Sequence, residues 1–114
     1  MPCVHEFCIM PEEPRPEEEF EYTPERYPDQ AAVDDDLLNE FAGRRGDALW
    51  AIPTYFESLR RPERGLAWYG ITLIPPASLP AFLDLFTGEP ELADLAWLMH
   101  QAAEQNKFII HYGI

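Results

Sequence analysis

LAWYGITLIPPASLPAFLDLF, residues 66–86, changes period half-way, and the fold class turns on that change. Residues 66–74 are β-branched and aromatic and stop at Pro75-Pro76, which predicts a central strand. From Ser78 the spacing becomes helical. Ser78 is placed as a cap, Pro80 lies in the first turn, and Leu79, Phe82, Leu83 and Phe86 recur at i, i+3, i+4 and i+7. A strand coupled this closely to an amphipathic helix implies layers of both kinds.

Downstream, Gly88 ends that helix and Pro90 opens another, with Leu92, Leu95, Ala96, Met99, Ala102 and Ala103 on one stripe. Asn106-Lys107 closes it. FIIHYGI, 108–114, is a last strand, apolar enough to lie inside a sheet, paired with 66–74 and neighboured by 4–10. Upstream, Val4–Met10 reads as a strand stopped by Pro11. DDDLLNEFAG, 34–43, predicts a helix capped by Asp34, with Leu37, Leu38 and Phe41 on one face and a stop at Gly43. A short helix is expected over 47–52, broken by Pro53. The expectation is a single α+β domain over 1–114. It has three or more strands in a small sheet with three or four helices packed on it. Residues 1–10 form a strand, 11–33 an extended acidic Pro-rich arm, and 34–114 the α+β body.

The arm is set by composition. PEEPRPEEEFEYTPERYP, 11–28, holds seven glutamates and five prolines against two arginines. The prolines remove backbone donors and the adjacent carboxylates repel one another, so neither helix nor sheet is favoured. Phe20, Tyr22 and Tyr27 interrupt the charge and can pin the segment to the body. The net charge of -13 is lopsided: residues 1–40 carry 13 acidic and 2 basic side chains, and the rest 8 and 6. A field of that sign repels nucleic acid and anionic membranes and attracts cationic surfaces. No apolar run reaches the ~18 residues a bilayer span needs, and the first ten residues lack a signal peptide's basic start, so a cytoplasmic protein is expected. Cys3 and Cys8, if on one strand, stand roughly 17 Å apart, which argues for two reduced thiols.

Chemistry-bearing motifs are sparse. No GxSxG, GxGxxG or GxxxxGK[ST] is present, and no cofactor is implied. Cys3 and His5 alternate onto one strand face, and His111 lies on the last strand; brought into register, the three could ligate a metal, which defines an alternative reading as a small metal-dependent enzyme. His100 falls off the apolar stripe, beside Trp97 and Glu104, as a surface histidine. The acidic runs Glu17–Glu19 and Asp34–Asp36 lack calcium-loop spacing. With Phe20, Glu21, Tyr22 and Tyr27 they resemble a partner-binding surface: rings anchor, carboxylates steer. Arg44, Arg45, Arg60, Arg61 and Arg64 are the competing explanation, because they could neutralise the arm from within.

A small acidic α+β chain with Glu17–Glu19 and Asp34–Asp36, aromatics among them and no reaction motif, resembles the immunity proteins that bacteria make against their own antibacterial toxins. The resemblance implies a non-catalytic protein that binds one toxin tightly and plugs its basic active-site cleft. Toxins of such systems act on anionic substrates such as nucleic acids and nucleotides.

Overall fold

The computed structural model describes residues 3–114. Among these residues six strands and three α-helices follow in the order β1 (Val4–Ile9), β2 (Gln30–Asp34), α1 (Asp35–Leu49), β3 (Pro53–Phe56), β4 (Pro62–Arg64), β5 (Ile71–Ile74), α2 (Leu79–Phe86), α3 (Ala93–Glu104) and β6 (Ile109–Tyr112). All strand pairs are antiparallel, in the spatial order β2-β1-β6-β5-β3-β4. The last strand is central, between β1 and β5, as its unbroken apolar run requires; all four of its residues are buried. Among the described residues no helix is long and apolar enough to cross a membrane.

Alternation divides the sheet into two faces. On one, Phe7, Ile9, Ala31, Val33, Ile74 and Ile109 meet the buried sides of all three helices, notably Leu38, Phe41, Phe82, Phe86, Leu95 and Met99. On the other, Cys8, Leu73, Ile110 and Tyr112 form a smaller apolar cluster with Met10, Tyr27 and Phe108. Among the described residues no α-helix covers that second face. The segment joining β1 to β2 does.

Several boundaries differ from the expected ones. The strand expected over 66–74 is regular only at Ile71–Ile74. Residues 66–70 turn away because Ala67 N–H donates to the Thr72 hydroxyl (2.7 Å) and the Trp68 indole donates to Asp35 (3.0 Å). α1 is kinked: Arg45 leaves helical geometry (φ -126°, ψ 20°), so a first helix ends just past the expected stop at Gly43, and a second, short one runs on to Leu49, overlapping the short helix expected over 47–52. Buried Leu38 and Phe41 hold the first part and buried Leu49 the second, with Gly43 and Gly46 on either side of the kink. Ser78 does not cap α2; its hydroxyl donates to Pro53 O (2.6 Å), tying the helix start to β3. The segment 11–33 is not wholly an irregular arm, since Gln30–Asp34 is β2, with Ala31 and Val33 turned inward. The hairpin β3–β4 went unseen: its strands are short and Pro62 sits on the sheet edge, where a missing donor costs nothing.

Candidate functional site

The acidic connection from β1 to β2 is built as a strap. It leaves β1 where Met10 N–H donates to Phe108 O (2.9 Å) and returns where Ile9 N–H donates to Asp29 O (3.0 Å). Between those anchors Pro14, Pro24 and Tyr27 are buried and Phe20 is half-buried, so apolar side chains hold the strap against the open sheet face. The Gln30 amide donates to the carbonyls of Tyr27 (2.7 Å) and Pro24, fixing the last turn. Tyr22 lays its ring edge on Tyr112 (centroids 5.2 Å apart), and its hydroxyl donates to Glu6. That bond to a carboxylate, which strengthens the protonated phenol, raises the Tyr22 pKa.

The carboxylates of the strap face water. Glu12, Glu13, Glu17, Glu19, Glu21 and Glu25 are exposed and Glu18 is half-exposed. Among the described residues their one ion pair is Glu17 with Arg15, at 3.9 Å on the strap itself. Two of the arginines further on engage the body instead: Arg44 meets Glu89 (3.1 Å) and Arg61 meets Glu57 (2.9 Å); among the described residues Arg45, Arg60 and Arg64 form no ion pair with the strap. His100 is an exposed partner of Glu104 (3.1 Å).

The residues expected to form one acidic docking face separate into different roles. Glu17, Glu18, Glu19, Glu21 and Tyr22 are on the outer side of the strap, with Phe20 partly beneath them. Tyr27 is only 6% exposed and serves the core, so it offers a partner no ring. Asp34, Asp35 and Asp36 sit at the start of α1, beside the beginning of β1 and on the helical side of the sheet. Asp34 is the cap, accepting from the N–H groups of Asp36 (3.1 Å) and Leu37 (3.3 Å).

Asp35 opens a buried polar chain that crosses three strands. Its Oδ1 accepts from the Trp68 indole (3.0 Å) and from His5 Nε2 (2.8 Å), and its Oδ2 accepts from Asn39 (3.0 Å). His5 Nδ1 meets His111 Nε2 at 2.9 Å, and His111 Nδ1 meets the Thr72 hydroxyl at 3.1 Å. Direction follows from the ends: a carboxylate only accepts, and Ala67 N–H only donates. With both imidazoles neutral, the protons therefore run from Ala67 through Thr72, His111 and His5 to Asp35. Every ring nitrogen is used. Burial, and then the neighbouring His5, holds His111 well below the usual histidine range.

This arrangement brings together two members of the alternative metal set, His5 and His111, but as partners of each other. Cys3 is exposed outside the chain; its carbonyl accepts Asp35 N–H (2.9 Å). Among the described residues no three His, Cys, Asp or Glu side chains converge into a set able to hold a metal ion. Cys8 is fully buried, and desolvation, aided by Glu6, pushes its thiol up to about 12, so it is an inert core residue. Tyr112 is likewise raised to about 12, chiefly by burial.

Sequence reasoning missed Asp35 as the anchor of the chain, and with it Trp68 and Thr72. The inward phase of His5 beside Phe7 was visible; the turn that swings Trp68 onto Asp35 was not. Comparison of the chain with protein-family profiles, with curated proteins and with solved structures returned no match.

Proposed function

We propose that this protein is a non-catalytic inhibitor of the immunity type, which occludes the basic active-site cleft of a bacterial toxin enzyme acting on an anionic substrate. The observation that carries the reading is the state of the strap. Its glutamates stand exposed, and neither Arg44 nor Arg61 turns back to neutralise them. An anionic surface held on a firm scaffold is ordered before binding, so little conformational entropy is lost when a partner arrives. Its field speeds encounter with a cationic cleft about 10–1000-fold at low salt. The polar chain of Asp35, His5 and His111 acts as scaffold, its rings closed off from any substrate. The working compartment is the bacterial cytoplasm, where the free thiols Cys3 and Cys8 stay reduced.

Affinity capture from the source cell at low salt, followed by activity assays of the captured protein, tests the reading. A partner recovered at one-to-one stoichiometry, enzymatically silent in the complex and active when freed, supports it. The triple variant Glu17→Gln, Glu18→Gln, Glu19→Gln then slows association by about tenfold or more at low salt, with little change in dissociation. Recovery of no stoichiometric partner, or of one whose activity the complex leaves intact, overturns it.

A further inference from the structure

The molecule leaves two tyrosines in water that apolar burial could have used: Tyr22, 62% exposed, on the strap, and Tyr69, 81% exposed, on the turn before β5. They come from distant parts of the sequence and line one groove of about 430 Å³. Its floor is Gly70, Ile71, Tyr112 and Gly113. The floor is tightly built: Gly113 N–H donates to Gly70 O (2.8 Å), and a Cβ at Gly113 would stand 2.2 Å from the Trp68 carbonyl oxygen. Beyond Tyr69 the depression continues into a second one of about 470 Å³, walled by Phe20, Glu19, Glu57 and Arg61. The two share Tyr69, Gly70 and Ile71 and so adjoin, a shallow trough in two parts with Tyr69 between them.

We propose that this trough is the specificity site for the partner, and that its occupant is a short protein segment pairing an arginine or lysine with an apolar residue. The proposal rests on the reading of this protein as a binder of a cationic partner and says where, and by what chemistry, the partner is recognised. The rings of Tyr22 and Tyr69 offer π-faces to a cationic head. Glu19 stands on the rim, and Glu6, which accepts from the Tyr22 hydroxyl, adds a second carboxylate beside that ring. Ile71 and Phe20 take the apolar neighbour. Charge selects among occupants: a second copy brings a net charge of -13 to a surface of the same sign, and nucleic acids and anionic lipids are repelled likewise. Aromatic anchors in a shallow trough beside steering charges divide the work of binding between affinity and rate.

The test uses the full chain, amide NMR and three probes: an eight-residue peptide alternating arginine and leucine, its glutamine-for-arginine counterpart, and arginine amide. The arginine–leucine peptide is expected to shift Tyr22, Gly70, Ile71 and Gly113 saturably, with the glutamine peptide and arginine amide each weaker by about tenfold or more. Tyr69→Ala is expected to weaken the peptide by about tenfold. That ring is in solvent, so the variant keeps its fold, and an unchanged melting temperature confirms it. Shifts confined to residues 12–19, equal binding of the glutamine peptide, or trough shifts that grow with protein concentration alone each overturn the proposal. The captured partner separates the two readings. If it binds Tyr69→Ala as tightly as the wild type, the trough assignment falls while the inhibitor reading stands. If no partner is found yet the peptide binds as described, the trough stands and the inhibitor reading falls.

Discussion

The Asp35 carboxylate accepts three hydrogen bonds, from Trp68, His5 and Asn39, and behind it two imidazoles lie fully buried. Such a chain is stable because every member is satisfied, and it is vulnerable for the same reason. Burial and the adjacent His5 hold His111 neutral, so its folded pKa is depressed well below the ordinary 6.5. In acid the unfolded chain takes up a proton that the native ring refuses. Stability from this site is thus complete above about pH 6.5 and falls as the pH drops below it, at about 1.4 kcal/mol per pH unit for one proton. Urea unfolding at pH 7.5 and 5.5 is expected to show that loss. His111→Leu is expected to flatten the acid limb while costing about 1–3 kcal/mol at pH 7.5, because it strands the Thr72 hydroxyl and His5 Nδ1. A variant as acid-sensitive as the wild type would place the titration elsewhere.

α1 shows an element obeying its local punctuation. Gly43 and Gly46 flank a kink at Arg45, and a short second helix beyond the kink buries Leu49. A Cβ at Gly43 would meet nothing within 4 Å, and its φ is not in the left-handed region. Gly43→Ala is therefore expected to stabilise the protein by about 0.5–1 kcal/mol, read as a higher urea midpoint at unchanged slope. Destabilisation would mean that the bend at Arg45 draws on glycine freedom two residues earlier. α3 likewise ends where its sequence says it should. Asn106 takes a left-handed φ of 56°, with Asn106 N–H donating to Ala103 O (3.1 Å) and Lys107 N–H to Ala102 O (2.9 Å). This paired arrangement closes a helix, and asparagine tolerates its backbone better than most residues.

In the whole molecule the charge is spread over a thin strap fixed to a hydrophobic sheet face, and its glutamates crowd one another with few counter-charges nearby. Screening should relieve that crowding. Raising salt from 0.01 to 0.15 M shortens the Debye length from about 30 to 8 Å, and the melting temperature is expected to rise over that range. The complex with a cationic partner should respond with the opposite sign, associating more slowly as salt rises. A protein whose melting temperature falls with salt would hold its strap by ion pairs.

Residue order alone made the α+β class legible, along with the central place of β6 between β1 and β5, the Asp34 cap and the exposed acidity of residues 12–25, because periodicity, caps and charge act over a few neighbours. The strap's return as β2, the hairpin of β3 and β4 and the burial of Tyr27 were settled by contacts between distant segments. So was the joining of Asp35, His5, His111 and Thr72. No one of these residues signals the others along the chain; they meet only because an antiparallel register sets β6 beside β1 and β5 at once, and a buried polar atom must then take whichever partner that register delivers.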